Sequence, residues 1–367
     1  MTRKLALALL FGGRSSEHSV SAATAGGVLG ALDPERYDVI PIGITREGAY
    51  VLASGDPADY FMGEGRMPSV VDNGTRVRWP EDAVSQELTV VSADGETRTV
   101  PVDVVFPILH GPWGEDGTIQ GLLELAELPY VGSGVLASAL GMDKHYMKTV
   151  FGQAGLPIAP WATVSRRQWA ADPASVHTAA EELGYPVFVK PARAGSSVGV
   201  GKATDAAGLA AVVETALAED DRALIEPAVV GCEIEIAVLG SPGGRAPRAS
   251  VAGEIVLTGR EFYDYEGKYL GGDGVALECP ASITPAQLAE MQALAVRAFE
   301  AIGAEGLSRV DFFLTDAPEH GGWVINEINT MPGFTPISMY STCWEASGLP
   351  YPKLLDELVA LALDGRE

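Results

Sequence analysis

The sequence has few of the residues that most often form disulfides or bind zinc. Its three cysteines, Cys232, Cys279 and Cys343, are odd in number and far apart, with no CxxC pair. Its five histidines form neither an HExxH motif nor a zinc-finger spacing. These absences argue against a disulfide scaffold and against a zinc site. We expect the cysteines to be reduced thiols in the core.

Basic residues and long apolar runs are also scarce. There are 25 Lys and Arg against 49 Asp and Glu, a formal net charge of −24, which disfavours binding to nucleic acid or to an anionic membrane surface. No apolar run reaches the roughly 18 residues that would span a bilayer. The apolar run 5–11 follows Arg3 and Lys4 as in a signal peptide, but polar residues follow at once and no cleavage site is visible. We therefore expect a cytoplasmic protein.

Glycine, in contrast, is abundant. The chain has 43 glycines in 367 residues, about 12% where about 7% is usual. So much glycine indicates many tight turns, or loops that approach a ligand closely. Length and an ordinary globular composition, 47% hydrophobic and 20% charged, favour two or three domains.

Strand and helix patterns alternate along the chain and predict an α/β protein. The first block has strands at 5–11, 37–44 and 102–109, with a glycine turn and a helix at 18–31 after the first strand. Residues 53–101 are mostly polar and read as an accessory insertion, in which Asp94-Gly95 marks a hairpin. The later predicted elements are a helix capped by Asp143, strand 185–191, helix 205–219, strands 223–226, 233–239 and 249–257, polar loop 258–280, a helix started by Thr284 and closed by Gly303, and paired strands 308–314 and 323–328.

A glycine- and serine-rich loop at 193–202 follows a predicted strand. It fails the P-loop pattern, because Ser196 replaces the first glycine and Ala203 replaces the hydroxyl residue. Its small residues leave backbone N–H groups open to phosphates, although a plain hairpin turn is the alternative. Lys190 at the end of a buried strand, together with Lys144, favours an anion partner.

Four polar residues lie on two strands that we expect to pair. Arg309 and Asp311 share one strand face, and Glu327 and Asn329 share another. Hard oxygen ligands of this kind suit Mg²⁺ or Mn²⁺, and such ions bridge nucleotide phosphates. The alternative is a solvated polar sheet face.

Two further loops follow predicted strands of the first block. One, GGRSSEHSVS, contains Glu17, and the other, HGPWGEDG, begins at His110. Loops at the carboxyl ends of strands hold the ligand in open α/β sheets. The alternative for each loop alone is a capped helix start.

Taken together, seven segments occur in the order found in one enzyme family: GGRSSEHSVS, HGPWGEDG, MDKHYMK, VKPARAGSSVGV, EFYDYEGKYL, SRVDF and NEINTMPGFTPIS. In these segments the chain resembles the D-alanine–D-alanine ligases, members of the ATP-grasp superfamily. The segments run from residue 12 to residue 338, so the resemblance covers nearly the whole chain.

The resemblance implies an ATP-grasp fold of three α/β domains with ATP between the central and C-terminal ones. These would be 1–138 (including insertion 53–101), 139–227 and 228–367 (including a lid loop at 258–280). It also implies ATP-dependent ligation of two D-alanines through a D-alanyl phosphate, releasing ADP and phosphate, for peptidoglycan precursors. Two Mg²⁺ or Mn²⁺ ions and a homodimer are further implications.

The site residues are assigned by the same resemblance. Glu17 would bind the ammonium of the first D-alanine and link through Ser196 to Tyr269, while Arg309 and the Gly333 backbone stabilise the oxyanion. The metal ions would be held by Asp311, Glu327 and Asn329. D-Alanine would contact Val20, His110, Ser338 and Met339. The residues implied for ATP are Lys144, Lys190, Ser197, Val198, Glu226, Pro227, Val229, Glu233, Lys268 and Phe313. Lys268 would also help to seat the carboxylate of the second D-alanine.

Three other functions stay open on the sequence. A nucleotide-binding module without catalysis would require degraded carboxylates or a missing Arg309, and all are present. An NAD-dependent oxidoreductase is suggested by the first glycine turn, yet GxGxxG is missing. Another ATP-grasp ligase could use different amino acids, whereas the Lys268-Tyr269 pair resembles that of the dipeptide-forming type.

Overall fold

The structure, a computed structural model, describes residues 3–62, 67–257, 274–316 and 322–364. Lys268 and Tyr269, and most of the predicted lid loop, lie outside these described residues. Within them, no helix combines the length and apolar character needed to cross a bilayer.

The first unit is built on a mainly parallel sheet. Strand β1 (Leu5–Gly12) lies between β2 (Tyr37–Ile44) and β7 (Val104–Pro107), both parallel to it, and β3 (Tyr50–Leu52) pairs antiparallel with β2. Its helices are α1 (His18–Ala31), α2 (Thr118–Leu125) and α3 (Val135–Met142). The strand–turn–helix–strand order predicted for this block is confirmed.

Both faces of β1 are buried. Leu7, Leu9 and Phe11 belong to one hydrophobic core, and the alternate residues Ala8 and Leu10 belong to another. Successive strand residues point to opposite faces, so a strand covered on both sides is a continuous apolar run. This explains the apolar segment that imitates a signal peptide.

The segment 53–101 folds as a small antiparallel sheet next to the first unit. Its strands are β4 (Arg76–Arg78), β5 (Glu87–Val91) and β6 (Thr97–Pro101), and a short 3-10 helix precedes them at Pro57–Tyr60. The hairpin predicted at Asp94-Gly95 joins β5 and β6, and Gly95 has the positive φ of 91° that such a turn requires. Leu88 and Val90 pack into the same core as Ala8, so the segment shares the core of the first unit.

The second unit is an antiparallel sheet in the order β10-β9-β11-β8. The strands are β8 (Ala162–Ser165), β9 (Val187–Pro191), β10 (Gly201–Ala203) and β11 (Arg222–Pro227). The helices are α4 (Lys144–Gln153), α5 (Arg166–Ala171), α6 (Pro173–Leu183) and α7 (Ala206–Glu219). Asp143 accepts from the N–H groups of His145 and Tyr146, which confirms the predicted cap.

The third unit is a five-stranded antiparallel sheet in the order β14-β13-β12-β15-β16. Its strands are β12 (Cys232–Leu239), β13 (Arg248–Leu257), β14 (Val275–Glu278), β15 (Leu307–Leu314) and β16 (Trp323–Asn329), followed or flanked by helices α8 (Pro285–Ala301), α9 (Met339–Ala346) and α10 (Tyr351–Leu363). The prediction of a loop throughout 258–280 is wrong at β14. This short edge strand is created by pairing with β13, a long-range contact that its own sequence does not signal.

The cysteines differ in their environments, although all three are free. Cys343 is buried and Cys279 is partly buried, but Cys232 is exposed. The prediction of a core thiol is therefore wrong for Cys232, because it lies at the beginning of β12, outside the sheet core.

Candidate functional site

The four polar residues of β15 and β16 come together as the predicted pairing requires. Arg309 lies opposite Asn329, and Asp311 lies opposite Glu327. The Arg309 guanidinium donates to both oxygens of Asp311, Nε to Oδ1 at 2.7 Å and Nη2 to Oδ2 at 2.8 Å. Asn329 Nδ2 donates to Asp311 Oδ2 at 3.0 Å. The result is a two-carboxylate patch held in a fixed orientation by a bidentate arginine.

This donor set fits a divalent ion that arrives with a nucleotide. Asp311 and Glu327 are neighbouring carboxylates, and Asn329 adds an amide oxygen. Among the described residues, no group of three acidic, histidine or cysteine side chains could hold a metal ion unaided. Mg²⁺ commonly takes one or two carboxylates and completes its coordination with substrate phosphates and water. The patch therefore suits an ion shared with ATP.

Glu235, which the sequence analysis did not single out, belongs to the same patch. Its Oε2 atom is 3.1 Å from Arg309 Nε, and it lies opposite Asp311 across β12 and β15. Burial acts to lower the pKa of Arg309, but Asp311 and Glu235 outweigh it and raise that pKa above its usual range. The sequence could have indicated Glu235, because Glu233 and Glu235 are two residues apart on β12 and share a strand face.

A second buried charge cluster links α4 to the second sheet. Glu226 lies 2.9 Å from Lys190 Nζ and 2.6 Å from Lys148 Nζ, and its side chain is only 6% exposed. Burial would raise the pKa of Glu226, yet Lys190 and Lys148 together lower it to about 2. Lys148 was missed, although it lies one helical turn after Lys144 in α4.

The surroundings of Glu226 are polar and charged. Its Oε1 atom is paired with Lys148 Nζ at 2.6 Å and its Oε2 atom with Lys190 Nζ at 2.9 Å, so both carboxylate oxygens already face a lysine. Pro227 and Val229 follow at the half-buried end of β11. Glu233 and Phe313 are cross-strand neighbours on β12 and β15. Burial acts to lower the pKa of Lys190, but Glu226 and Glu233 act together to raise it, so these residues belong to one neighbourhood.

Two lysines connect the second unit to the carboxylate patch of β15 and β16. Lys144 Nζ donates to the Ala194 carbonyl at 2.8 Å and is 3.7 Å from Glu327 Oε2. Lys190 Nζ donates to Asn326 Oδ1 at 3.1 Å. Asn326 was not predicted, because it occupies a register shift in which β16 has one extra residue opposite β15.

Glu17 lies in a cradle formed by two glycines. A Cβ atom on Gly111 or on Gly195 would lie 2.7 or 2.8 Å from Glu17 Oε2, so a larger residue at either position would displace the Glu17 carboxylate. Ser196 donates a hydrogen bond to Glu17 Oε1. Ser196 and Ser197 have positive φ angles of 50° and 57°, which are uncommon for residues other than glycine. The Val198 N–H closes this turn on the Gly195 carbonyl. The first loop and the glycine- and serine-rich loop therefore meet at Glu17.

His110 and Glu115 lie close to Glu17; His110 is buried and Glu115 is half-buried. His110 donates from Nδ1 to the Met331 carbonyl at 3.1 Å, and burial lowers its pKa. Glu115, which the sequence analysis missed, accepts from the Gly111 N–H at 2.6 Å. Burial, reinforced by Glu17, raises the pKa of Glu115 well above its usual range. Its place in HGPWGEDG was the available signal.

Some of the remaining predicted substrate residues can contact a ligand through the side chain, and others only through the backbone. Ser338 accepts from the Thr335 N–H at 3.0 Å and lies beside Gly333. Met339 and Val20 are buried, 5% and 4% exposed, and the Met339 side chain packs beneath Gly253. Met339 can therefore offer a ligand its backbone N–H at the beginning of α9, and not its side chain.

His18 fixes the first glycine turn to the segment 67–75. Its Nδ1 donates to the Gly13 carbonyl at 2.6 Å, and its Nε2 accepts from the Val70 N–H at 2.9 Å. Burial lowers the pKa of His18 by desolvating the charged ring, although the hydrogen bond to Gly13 acts in the opposite direction. The neutral ring is also the form that can accept at Nε2.

Acidification is therefore expected to weaken the protein through His18. A histidine whose pKa is lowered on folding stabilises the protein above its unfolded pKa of about 6.5, and this contribution is lost as the pH falls through the folded value. We expect the free energy of unfolding to fall more between pH 7.5 and 5.5 in the wild-type chain than in His18→Asn, measured by urea denaturation. His177→Asn is the matched control and should keep the wild-type slope. Equal slopes for wild type and His18→Asn would contradict the role of His18.

Known proteins of one family resemble this chain over nearly its whole length. The family described as D-ala D-ala ligase N-terminus matches residues 6–133, and that described as D-ala D-ala ligase C-terminus matches residues 150–360. The D-alanine–D-alanine ligase of Paenarthrobacter aurescens is 52% identical over 366 residues, covering 99% of this chain and 96% of that protein. That of Pseudarthrobacter chlorophenolicus is 53% identical, covering 98% and 94%.

Solved structures show the same similarity. The D-alanine-D-alanine ligase from Coxiella burnetii superposes with a TM-score of 0.82 at 34% identity, covering 99% of this chain and 94% of that one. The VanG D-Ala:D-Ser ligase from Enterococcus faecalis gives a TM-score of 0.83 at 33% identity, covering 98% of this chain and 100% of that one.

Proposed function

Because the chain belongs to the D-alanine–D-alanine ligase family, we propose how its residues divide the work of that enzyme. The protein has the ATP-grasp fold and catalyses the ATP-dependent ligation of two D-alanines to D-alanyl-D-alanine for peptidoglycan. The observation that carries the proposal is the convergence of Glu17, two lysines and the Arg309–Asp311 patch on one cleft. The assignments below concern individual residues.

The first half-reaction needs positive charge. A carboxylate does not react with an amine at neutral pH, so the first D-alanine is activated as D-alanyl phosphate, which brings two anions together. Lys144 and Lys190 face the phosphates, with the turn at Ser197 and Val198 beside them, and Arg309 stabilises the charge that develops on the transferred group. Asp311, Glu327 and Asn329 would hold two divalent ions, Mg²⁺ or Mn²⁺, which would neutralise the triphosphate charge when bound.

Adenine lies beside the buried lysine–glutamate cluster. Glu226, whose carboxylate is paired with Lys148 and Lys190, borders the adenine, and the backbone of Pro227 and Val229 completes the edge that recognises it. Proline has no N–H to donate but keeps its carbonyl oxygen, so this contact is retained. Glu233 binds the ribose hydroxyls, and Phe313 packs beside it.

The two D-alanines are held from opposite sides of the cleft. Glu17 pairs with the first ammonium, because its carboxylate is fixed between Gly111 and Gly195 and by Ser196. His110 and Val20 border this subsite. The free N–H groups at the beginning of α9 and the Ser338 hydroxyl receive the second carboxylate, since a helix N-terminus favours an anion. Arg309 and the Gly333 N–H then stabilise the tetrahedral oxyanion when the second amine attacks. Lys268 and Tyr269 would act from the lid loop.

Three further features are part of the proposal. The domain boundaries lie at residues 138 and 227: the first is within α3, five residues after the N-terminal family match ends at 133, and the second is at the end of β11. Family membership supports a homodimer, testable by light scattering on the purified chain. ATP use and three free thiols favour the cytoplasm as its compartment.

The function is tested by measuring phosphate release from ATP and Mg²⁺ with D-alanine, D-serine, D-lactate and L-alanine. We expect release with D-alanine, with D-alanyl-D-alanine as the product identified by mass spectrometry. L-Alanine serves as the matched control and should leave release at the background rate. Release with L-amino acids alone would contradict the proposal, and nucleotide binding without any release would favour a non-catalytic module.

A further inference from the structure

Two cysteines that are distant in the sequence lie side by side in the third unit. Cys279 follows β14, and Cys343 lies in the middle of α9. Their Sγ atoms are 3.7 Å apart. A disulfide bond is about 2.05 Å long, so a relative movement of roughly 1.6 Å would bring the two sulfurs into bonding distance.

The two thiols differ in access to solvent. Cys343 is completely buried in the core shared by β1 and α9, whereas Cys279 is partly exposed and its neighbours 276–278 and 280 are exposed. Hydrogen bonding from Cys343 lowers the pKa of Cys279, and the same pairing, with burial, raises the pKa of Cys343. Of these two thiols, Cys279 is therefore the one that a soluble oxidant reacts with first. Cys343 lies behind it and can react with the oxidised Cys279.

We propose that Cys279 and Cys343 form a redox-active pair that is oxidised by hydrogen peroxide to an intramolecular disulfide. The Cys279 thiolate attacks one peroxide oxygen, giving a sulfenic acid and hydroxide. The Cys343 sulfur then attacks the Cys279 sulfur, its proton leaves with the displaced hydroxide as water, and the S–S bond forms. In sum, two thiols lose two electrons and two protons, and one peroxide is reduced to two waters. A dithiol reverses the bond by exchange.

The disulfide would affect the second D-alanine subsite by straining α9. Cys343 lies one helical turn after Met339, on the same helix face. The helix is fastened at other points: Met339 packs beneath Gly253, and the Tyr340 hydroxyl donates to the Val238 carbonyl at 3.0 Å. Movement of Cys343 towards Cys279 therefore strains a helix whose first turn carries Ser338 and Met339. This consequence, unlike the pair itself, rests on the second-substrate role proposed above.

The test uses the full chain. The protein is first reduced, then separated from the reductant, and then titrated with hydrogen peroxide. We expect the free thiols counted after denaturation to fall from three to one. Mass spectrometry of a digest should find the peptides of Cys279 and Cys343 joined and two hydrogens lighter, with full reversal by dithiothreitol. Cys232→Ser, the matched control, should still form the bond, and Cys279→Ser should not. Sulfinic or sulfonic acid at Cys279 with Cys343 still free would overturn the proposal.

The coupling to α9 is tested separately, by kinetics of the linked enzyme. We expect the KM for the second D-alanine to rise at least two-fold while the KM for ATP is unchanged, and reduction to restore it. Peroxide-treated Cys279→Ser should keep the kinetics of the untreated variant. Unchanged KM in a fully linked sample would refute the coupling, and because the linked peptide is detected independently, that result is distinguishable from failure of the pair.

Discussion

Replacing Arg309 by methionine is expected to lower kcat by about 10³-fold, the loss typical of removing one preorganised donor to a developing negative charge. Methionine keeps a side chain of similar length but no charge and no donor. The two hydrogen bonds to Asp311, at 2.7 and 2.8 Å, disappear with the guanidinium. Asp311 then loses its orientation towards Glu327, so the oxygen patch is disturbed as well. Phosphate release from ATP in the presence of D-alanine measures the effect.

The same variant is expected to be less stable. Without Arg309, the buried carboxylates of Asp311 and Glu235 lie close together with no intervening guanidinium, and breaking a buried ion pair on one side typically costs about 3–5 kcal/mol. Arg245→Met is the matched control, since Arg245 is exposed and bonds only to the Pro242 carbonyl in the described part of the chain. A kcat within tenfold of wild type in folded Arg309→Met would show that Arg309 does not act on the reacting groups.

Replacing Glu226 by glutamine is expected to lower the free energy of unfolding by about 3 kcal/mol at pH 7. Glutamine has the shape of a protonated glutamate, so it removes the charge and little else. The pKa of Glu226 falls from its usual 4.5 to about 2 on folding, and each unit is worth about 1.4 kcal/mol. Lys190 and Lys148 both lose the carboxylate with which they are paired. Urea denaturation measures the stability, and kcat/KM for ATP should fall about 10²-fold as Lys190 loses its position.

The stabilisation that Glu226 provides depends on pH, and the direction of this dependence can be predicted. A carboxyl whose pKa is lowered on folding stabilises the protein above its unfolded pKa, and this contribution is lost as the pH falls through the folded value. The stability difference between wild type and Glu226→Gln should therefore be full at pH 7 and shrink between pH 4.5 and 2. Glu214→Gln, at an exposed position of α7, is the matched control and should differ little from wild type at any pH. A difference that stays constant down to pH 3 would rule out the ion-pair explanation.

Sequence patterns predicted a feature correctly where the residues that form it lie within one helix, strand or turn. The apolar run at β1, the cap at Asp143 and the hairpin at Asp94-Gly95 are local, and each is found where the sequence placed it. The Arg309–Asp311 and Glu327–Asn329 pairs were also accessible, because residues two apart on a strand share a face. The order of seven segments then identified the family.

The residues that were missed depend on contacts between distant parts of the chain. Lys148 and Glu235 look like ordinary surface charges in their own helix and strand, and only the packing against Glu226 and Arg309 buries them. Asn326 reaches Lys190 because an irregular register adds a residue to β16. β14 is a strand only because β13 offers an open edge.

The sequence by itself thus determined the α/β class and the family: periodicity and capping encode the first, and the order of seven short segments the second. The tertiary structure decided which charges are paired and which thiols meet. Glu226 is paired with two lysines only after α4 packs against the second sheet, and Cys279 comes to lie 3.7 Å from Cys343 only after α9 packs against the third. The physical reason is that the strength of a charge pair and the reach of a thiol depend on distance and burial, and neither quantity is defined until the chain has folded.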